Sequence, residues 1–389
     1  MKLSSTISRR LLFAGIFLSA LGQSVAAIGF TLLAAQTGSS LALSSVLMAN
    51  LLPGILLGLV GGHLVDHTAR AWWWPTSLLV SAIAYGVMAL APTWPVIVGA
   101  SALVSTMSAL LGTTSRKLVT HYATDSERAA GTLTGIAGIA DIAGVALGGL
   151  GIGANALSLL LSFNALTLVL FAGAGFLVST PQALSPDMSP APKGFFDGLH
   201  ILNRKEVFGW SGIFLLIGTV LGTSLDDISN VFVLVNIIGL DPLRFGITSA
   251  CWATGIIVGG FLCRRFRLAP LQVMSFSSLT MGLVIGATNV FIPGFYLLVA
   301  MFLLGSTANG CFNASVCSTI MKGVPGHAQG RAWAAFRWIV NLSLMTGYVA
   351  GALWGADHPR ALGVLGGSGA VLVALWFWTR WLLNDWSRR

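Results

Sequence analysis

Long apolar runs alternate with short polar segments along nearly the whole chain. A helix that crosses a bilayer needs about 20 mainly apolar residues, and each of these runs is close to or above that length. The pattern therefore predicts an all-α protein with twelve membrane-spanning helices. They fall at 11–34, 41–63, 73–91, 95–115, 131–152, 157–178, 207–236, 243–263, 270–290, 295–320, 332–355 and 361–383.

Composition places the chain in the membrane. Of its 389 residues, 55% are hydrophobic and only 8% are charged, whereas soluble domains carry about 25% charged residues. Twelve spans and their loops use almost the whole length, which leaves no room for a sizeable soluble domain. We therefore predict an integral membrane protein that is embedded in the lipid bilayer.

The distribution of basic residues predicts the orientation. The net charge is +9, and nearly all Lys and Arg residues lie in segments that are cytoplasmic if the N-terminus is inside. Such a bias is typical of multi-pass proteins, in which it sets the topology. We expect cytoplasmic N- and C-termini in a cell membrane protein, and no binding of nucleic acid. The first apolar run could also mimic a secretory signal, but it continues through 28–35, so a retained helix is predicted.

A hydrophilic, proline-rich segment divides the chain into two halves. The predicted units are a six-helix half at 1–178, a cytoplasmic linker at 179–206 and a second six-helix half at 207–389. The sequence Gly58–Leu64, at the end of the second span, resembles Ile257–Leu262 at the end of the eighth. Two related halves around a central cavity are typical of secondary transporters.

The loop after the second span carries a recognisable pattern. Gly62, Asp66 and Arg70 match the loop signature of the major facilitator superfamily, Gly-x-x-x-Asp-Arg-x-Gly-Arg-Arg, although positions 67, 69 and 71 depart from it. Gly62 permits close helix approach, and Asp66 can pair with a cation or a helix N-terminus. The resemblance implies a conformational latch, and the alternative is an ordinary polar turn.

The fifth span combines glycines with an acid. Gly131, Gly144, Gly148 and Gly149 match positions of the superfamily's antiporter motif, and Asp141 lies on the same helical face. Positions 140 and 145 depart from the motif. Small residues at this spacing let helices approach closely, which is also the simpler explanation of the glycines. The resemblance favours export, with Asp141 as a candidate proton carrier.

The seventh span holds two adjacent acids, Asp226 and Asp227. A carboxylate in a membrane helix costs roughly 2.5–3.5 kcal/mol on insertion scales and is usually functional. The pair belongs to a polar stripe along this span, whose other members are Thr219, Gly222, Thr223, Ser229 and Asn230. Thr223 and Asn230 share one helical face with the pair, which suggests the wall of a wet cavity. Neighbouring acids in such a wall suit the uptake and release of protons. The alternative is that the pair is solvated at the outer boundary of the membrane.

Other polar residues in the spans are candidate cavity-lining groups. Gln23 follows a glycine in the first span, and Asn309 and Asn313 lie four residues apart in the tenth. Arg337 and Asn341 form a similar pair in the eleventh span. Arg337 could bind an anionic group, although snorkelling of its side chain to the interface is an alternative.

The second half sharpens the family resemblance. The stretch Val324–Arg331, followed by Arg337 and Asn341, is similar to the macrolide-efflux-type branch of the major facilitator superfamily, whose members are drug:proton antiporters. That branch often has an acid where this chain has Gln23. The resemblance covers nearly the whole chain and implies the major facilitator fold, with proton coupling carried by Asp141, Asp226 and Asp227.

The resulting functional hypothesis is proton-coupled export of amphipathic drugs or secondary metabolites by a monomer. We expect Asp141 and at least one of Asp226 and Asp227 to face the same cavity. No nucleotide-binding loop, catalytic nucleophile motif or metal-ligand spacing occurs, so neither an enzyme nor a cofactor or metal site is predicted. The alternatives are uptake or exchange of a polar metabolite, a sensor or scaffold without transport, and a membrane enzyme that uses two aspartates.

Overall fold

The computed structural model describes residues 5–68, 72–122, 126–178 and 195–386. Within these ranges, side chains are described except at 5–9, 57–68, 109–122, 126–134, 177–178, 195–196, 264, 326–327 and 384–386. The described chain is helical without strands. The helices are α1 Ser5–Thr37, α2 Ser40–Thr68, α3 Trp73–Leu90, α4 Trp94–Tyr122, α5 Ser126–Gly153, α6 Leu157–Val178, α7 Phe195–Leu202, α8 Gly209–Phe232, α9 Pro242–Leu262, α10 Pro270–Phe291, α11 Phe295–Gly323, α12 Gly326–Trp354 and α13 Pro359–Trp386.

Most of these helices have the length and composition of membrane spans. In the described part of the chain, nine are long and apolar enough to cross a bilayer, and α2 and α4 contribute the shorter apolar stretches Ser40–Leu56 and Trp94–Ser108. Helix α12 is as long as the spans but more polar. The prediction of an all-α membrane protein is confirmed. Apart from α7, which lies in the predicted linker, each helix corresponds to one of the twelve predicted spans.

The chain divides into two compact units. The first comprises 1–33 and 45–191. Its apolar core is built around α3, whose residues Trp74, Leu78, Tyr85 and Met88 are almost fully buried. Helix α1 packs so closely against α3 and α6 that its glycines contact their side chains, and Trp74 of α3 lies beside Gly15.

The second unit comprises 34–44 and 192–389. Its core includes Phe208, Leu216, Met274, Phe312 and Val316, which come from α8, α10, α11 and the turn before α8. Helix α8 ends in a π-helical turn, Val233–Ile237, and the following helix α9 begins at Pro242 with Asp241 as its N-cap. A proline suits the first turn of a helix because its missing N–H would have no partner there.

Candidate functional site

In the first unit, Asp141 lies on the face of α5 that packs against α1. Ser24 on α1 donates a hydrogen bond from Oγ to Asp141 Oδ1 at 2.7 Å. On the same face, a Cβ added to Gly144 would lie 2.6 Å from Leu21 O, and one added to Gly148 would lie 2.8 Å from Val25 O. These glycines therefore allow the two backbones to meet, which holds the acid beside α1.

A cavity of about 300 Å³ lies next to this contact, between α1, α2, α3 and α4. Its described lining carries amide and hydroxyl groups together with apolar and aromatic side chains, and none of these described residues is charged at neutral pH. The lining residues are Gln23, Ser24, Ala26, Ala27, Phe30, Asn50, Tyr85, Met88, Ser101, Val104, Ser105 and Ser108. Because Ser24 both lines the cavity and binds Asp141, the acid is one hydrogen bond away from this space.

In the second unit, the two acids of α8 have different partners. Asp226 is half-buried, and Asn289 on α10 donates to its Oδ1 from Nδ2 at 3.4 Å. Asp227 is exposed, and the Tyr348 hydroxyl on α12 donates to its Oδ2 at 2.9 Å. The adjacent acids thus link α8 to α10 and to α12, since neighbouring residues of a helix point about 100° apart.

A buried hydrogen-bond network supports Asn289. The fully buried Ser229 hydroxyl lies 3.0 Å from Asn289 Oδ1 and 2.7 Å from Pro359 O. Arg360, at the start of α13, donates to the backbone oxygens of Asn289 and Val290 at 2.8 and 3.0 Å. These oxygens belong to the last turn of α10, where the backbone carbonyl groups have no hydrogen-bond partners within the helix. Arg360 therefore caps α10 and fixes the position of Asn289.

All described hydrogen-bond partners of the three acids are uncharged. Among the described residues, Asp141, Asp226 and Asp227 form no ion pair; the ion pairs present are Arg244–Asp241 and Arg331–Asp197. A carboxylate held by hydroxyl and amide donors alone can be neutralised by a proton without leaving a buried cation unpaired. This arrangement is chemically compatible with reversible protonation.

Part of the polar stripe predicted on α8 belongs to helix packing instead. Thr219 is buried against Ser278 with a 2.7 Å contact between their hydroxyl oxygens, and Ser229 is buried in the Asn289 network. Gly222 lies against the backbone of Gly366 on α13. The interpretation of the whole stripe as a cavity wall is therefore too broad, because these small polar side chains bond to the neighbouring helices.

The remaining candidate residues are spread over several helices. Gln23 lines the cavity of the first unit and hydrogen-bonds to Ser108. Asn313 donates to Asn309 at 3.1 Å along α11, so that this pair shares one helical face. Arg337 on α12 is exposed. Asn341, on the same helix, and Asn230, on α8, are half-buried.

The structure describes the side-chain surroundings of only some of the motif residues. Arg70 is outside the described residues altogether. Gly62 and Asp66 lie in α2 and Gly131 lies in α5, in stretches where the structure describes the backbone alone. Gly149 is buried in α5. The latch therefore stays a prediction.

Several residues of the site were not predicted from the sequence. Ser101, Ser105 and Ser108 lie at i, i+4 and i+7 on α4, a spacing that places them on one helical face and could have indicated a polar wall. Asn289 and Tyr348 were not predicted, because an amide or a phenol in a membrane helix does not by itself indicate which acid it contacts. Their role follows from their contacts with the acids.

Comparison with protein families identifies the chain. Residues 12–348 match the family model of the Major Facilitator Superfamily. The chain belongs to this superfamily. It is accordingly a multi-pass membrane protein and a secondary transporter, in a family whose members are in general transporters of small molecules rather than enzymes. The match does not distinguish the macrolide-efflux-type branch from others, and no curated relative matches the chain.

Solved superfamily structures share the fold. A mutant of the nucleoside transporter NupG is 16% identical, with a TM-score of 0.72 over 95% of this chain and 99% of that chain. An inward-facing, occupied bacterial homologue of the human lysosomal transporter Spinster is 14% identical, with a TM-score of 0.71 and 97% coverage of both chains. A mutant of the peptide transporter POT in complex with alafosfalin is 12% identical, with a TM-score of 0.68 and 97% coverage of both. At these identities the likeness concerns the fold alone.

Proposed function

We propose that the chain is a proton-coupled exporter of amphipathic drugs or secondary metabolites, of the macrolide-efflux type. The observation that carries this proposal is the set of three carboxyl groups on membrane helices whose described partners are uncharged. An acid without a counter-ion in a membrane helix is costly when ionised, so its protonation state can be coupled to the transport cycle. The protein would act as a monomer in the cytoplasmic membrane, with both termini inside.

The proposed cycle uses the acids as exchangeable proton sites. Protons from the outer side neutralise one or more of Asp141, Asp226 and Asp227 and favour the inward-facing state. Substrate that binds from the inner side then competes with the proton, and the cycle alternates access to the two sides of the membrane. The hydrogen bonds from Ser24 and Tyr348 orient two of these carboxyl groups.

The lining of the cavity in the first unit suits an uncharged part of a substrate. Its amide and hydroxyl groups can hydrogen-bond a polar edge of a ligand, while Phe30, Tyr85, Met88 and Val104 offer apolar contact. Ligand sites commonly combine an apolar lining with a few polar groups that fix orientation. A volume of about 300 Å³ would hold part of a large amphipathic molecule, such as one ring with its hydroxyl substituents.

The test is proton-gradient-driven uptake into everted membrane vesicles, with a radiolabelled macrolide as the first probe. We expect uptake by the wild type that collapses with a protonophore, and reduced uptake by at least one of Asp141→Asn, Asp226→Asn and Asp227→Asn. Asp357→Asn, which changes an exposed acid in the turn between α12 and α13, is the matched control. Unchanged coupled uptake in all three variants would overturn the proton-coupling assignment.

Uptake or exchange of a polar metabolite is the second candidate function. The uncharged, hydrogen-bonding lining of the cavity in the first unit favours it, because such groups also suit a small polar metabolite. The two functions differ in direction. Cells that overproduce the protein would accumulate an imported compound and would be depleted of an exported one, which a transport screen over a compound panel measures directly.

A further inference from the structure

A second cavity lies in the second unit, where the short helix α7 meets the start of α12. Its volume is about 210 Å³, and Asp197, His200, Arg204 and Arg331 contribute to its lining. The two helices touch closely, because a Cβ added to Gly198 would lie 2.5 Å from Arg331 O. The charge distribution predicts that this end of α12 faces the cytoplasm.

The charged groups around this cavity leave cationic donors free. Arg331 contacts Asp197 once, with 3.4 Å between Nη1 and Oδ2, and the two side chains are 31% and 47% exposed. A guanidinium has five N–H donors, so most of those on Arg331 remain available. The Arg204 side chain makes no ion pair or hydrogen bond with the described residues, and Asp197 balances only one of the two arginines.

The start of α12 also favours the binding of an anion. Helix α12 begins after Pro325, which lines the cavity and provides no side-chain cap. The Ala328 N–H already donates to Pro325 O at 2.8 Å, but the aligned peptide dipoles still give the start of the helix a partial positive charge. Two guanidinium groups, a histidine and this helix end therefore surround one space, and their combined charge exceeds that of Asp197.

We propose that this cavity binds a phosphate group, from either a lipid headgroup or a free phosphate. The planar fork of arginine matches the oxygens of phosphate, and the contact with Asp197 orients Arg331 beside the cavity. When phosphate binds, it competes with Asp197 for Arg331 and recruits Arg204. The site is independent of the proposed export function, because none of the three acids assigned to proton coupling takes part in it.

Binding can be measured on the purified full-length protein. Inorganic phosphate is titrated in a neutral detergent at constant ionic strength, with thermal unfolding as the readout. A second arm compares the retention of phosphatidylglycerol and phosphatidylcholine by native mass spectrometry, and so distinguishes a lipid headgroup from a free phosphate. The variants are Arg204→Gln, Asp197→Asn and Arg244→Gln; the last removes an arginine from a similar 3.4 Å ion pair with Asp241, on α9.

Arg204→Gln is expected to weaken phosphate or phosphatidylglycerol binding roughly fivefold, a factor typical of a partly exposed charge interaction. Asp197→Asn is expected to strengthen binding, because it removes the competing carboxylate; a variant that had merely lost structure would bind less. Arg244→Gln should bind like the wild type. The proposal is overturned if neither ligand binds, if all three variants weaken binding equally, or if Asp197→Asn and Arg204→Gln both bind like the wild type.

Discussion

At the scale of single residues, the two acids of α8 are not equivalent. Asp227 is exposed and is held by the Tyr348 hydroxyl at 2.9 Å, whereas Asp226 is half-buried and has a longer, 3.4 Å contact with the Asn289 amide. The shorter contact orients its carboxylate more firmly. We therefore assign Tyr348 as a positioning residue for Asp227.

Tyr348→Phe should lower the rate of proton-driven transport roughly tenfold, since a hydrogen bond to an ionised group contributes about 1.5–3 kcal/mol. The change keeps the ring, which is buried to all but 7%, so folding should persist. Transport in everted vesicles and thermal unfolding are measured together. Tyr296→Phe, in which the tyrosine is 88% exposed, serves as the control, and equal rates for both variants would refute the assignment.

Ser24→Ala tests the corresponding contact in the first unit. The serine hydroxyl is the described donor to Asp141, and its loss should reduce coupled transport several-fold, as a hydrogen bond to a charged group would. Thr31→Ala on the same helix, which removes a hydroxyl that bonds within α1 to Ala27 O at 2.7 Å, is the comparison variant. Normal transport by Ser24→Ala would show that Asp141 needs no fixed orientation.

At the scale of helices, close packing between small residues places the acids. Helix α5 meets α1 at Gly144 and Gly148, and the same face carries Asp141. In the second unit, the buried Ser229 hydroxyl connects α8 to α10 and to the start of α13. Each acid is thus positioned by the contact between its own helix and a neighbour, rather than by an ion pair.

Gly148→Ala should destabilise the protein by about 1–3 kcal/mol, because overpacking forces backbones apart. The added Cβ would lie 2.8 Å from Val25 O. Gly135→Ala is a matched control on the same helix, since no atom of the described residues lies within 4 Å of the added atom. Thermal unfolding in detergent compares the two variants. Equal stability would mean that α1 and α5 separate easily.

Ser229→Ala should destabilise the second unit by about 1–3 kcal/mol, because Asn289 Oδ1 and the Pro359 carbonyl oxygen would lose the one buried donor that they share. Thermal unfolding again provides the measurement. Thr280→Ala on α10 removes a hydroxyl that bonds within its own helix, to Phe276 O at 2.9 Å, and should have a smaller effect. A Ser229→Ala protein as stable as the wild type would contradict the role of this network.

The sequence was sufficient for the class of fold and for the acids, but not for their partners. Apolar runs longer than a bilayer span predict helices whatever the tertiary structure, and an acid within such a run is conspicuous by its cost. Asn289 and Tyr348 are ordinary residues within their helices, so only the packing of α10 and α12 against α8 identifies them. The latch residue Arg70 and the sharing of one cavity by Asp141 and the α8 pair stay predictions.

At the scale of the whole molecule, the central claim is that substrate and proton move in opposite directions through one protein. Superfamily membership establishes a secondary transporter, and the acids without described counter-ions are the proton sites that we propose. Each half contributes at least one such acid, so that a single substitution need not abolish coupling. The triple variant Asp141→Asn, Asp226→Asn, Asp227→Asn removes all three.

The most direct measurement uses the purified protein in liposomes that contain a pH-sensitive dye. A macrolide gradient is imposed without any other driving force, and the internal pH is followed. Proton-coupled export predicts proton movement against the direction of macrolide flux by the wild type, and none by the triple variant. Macrolide flux without proton movement, or equal proton movement by both proteins, would contradict it.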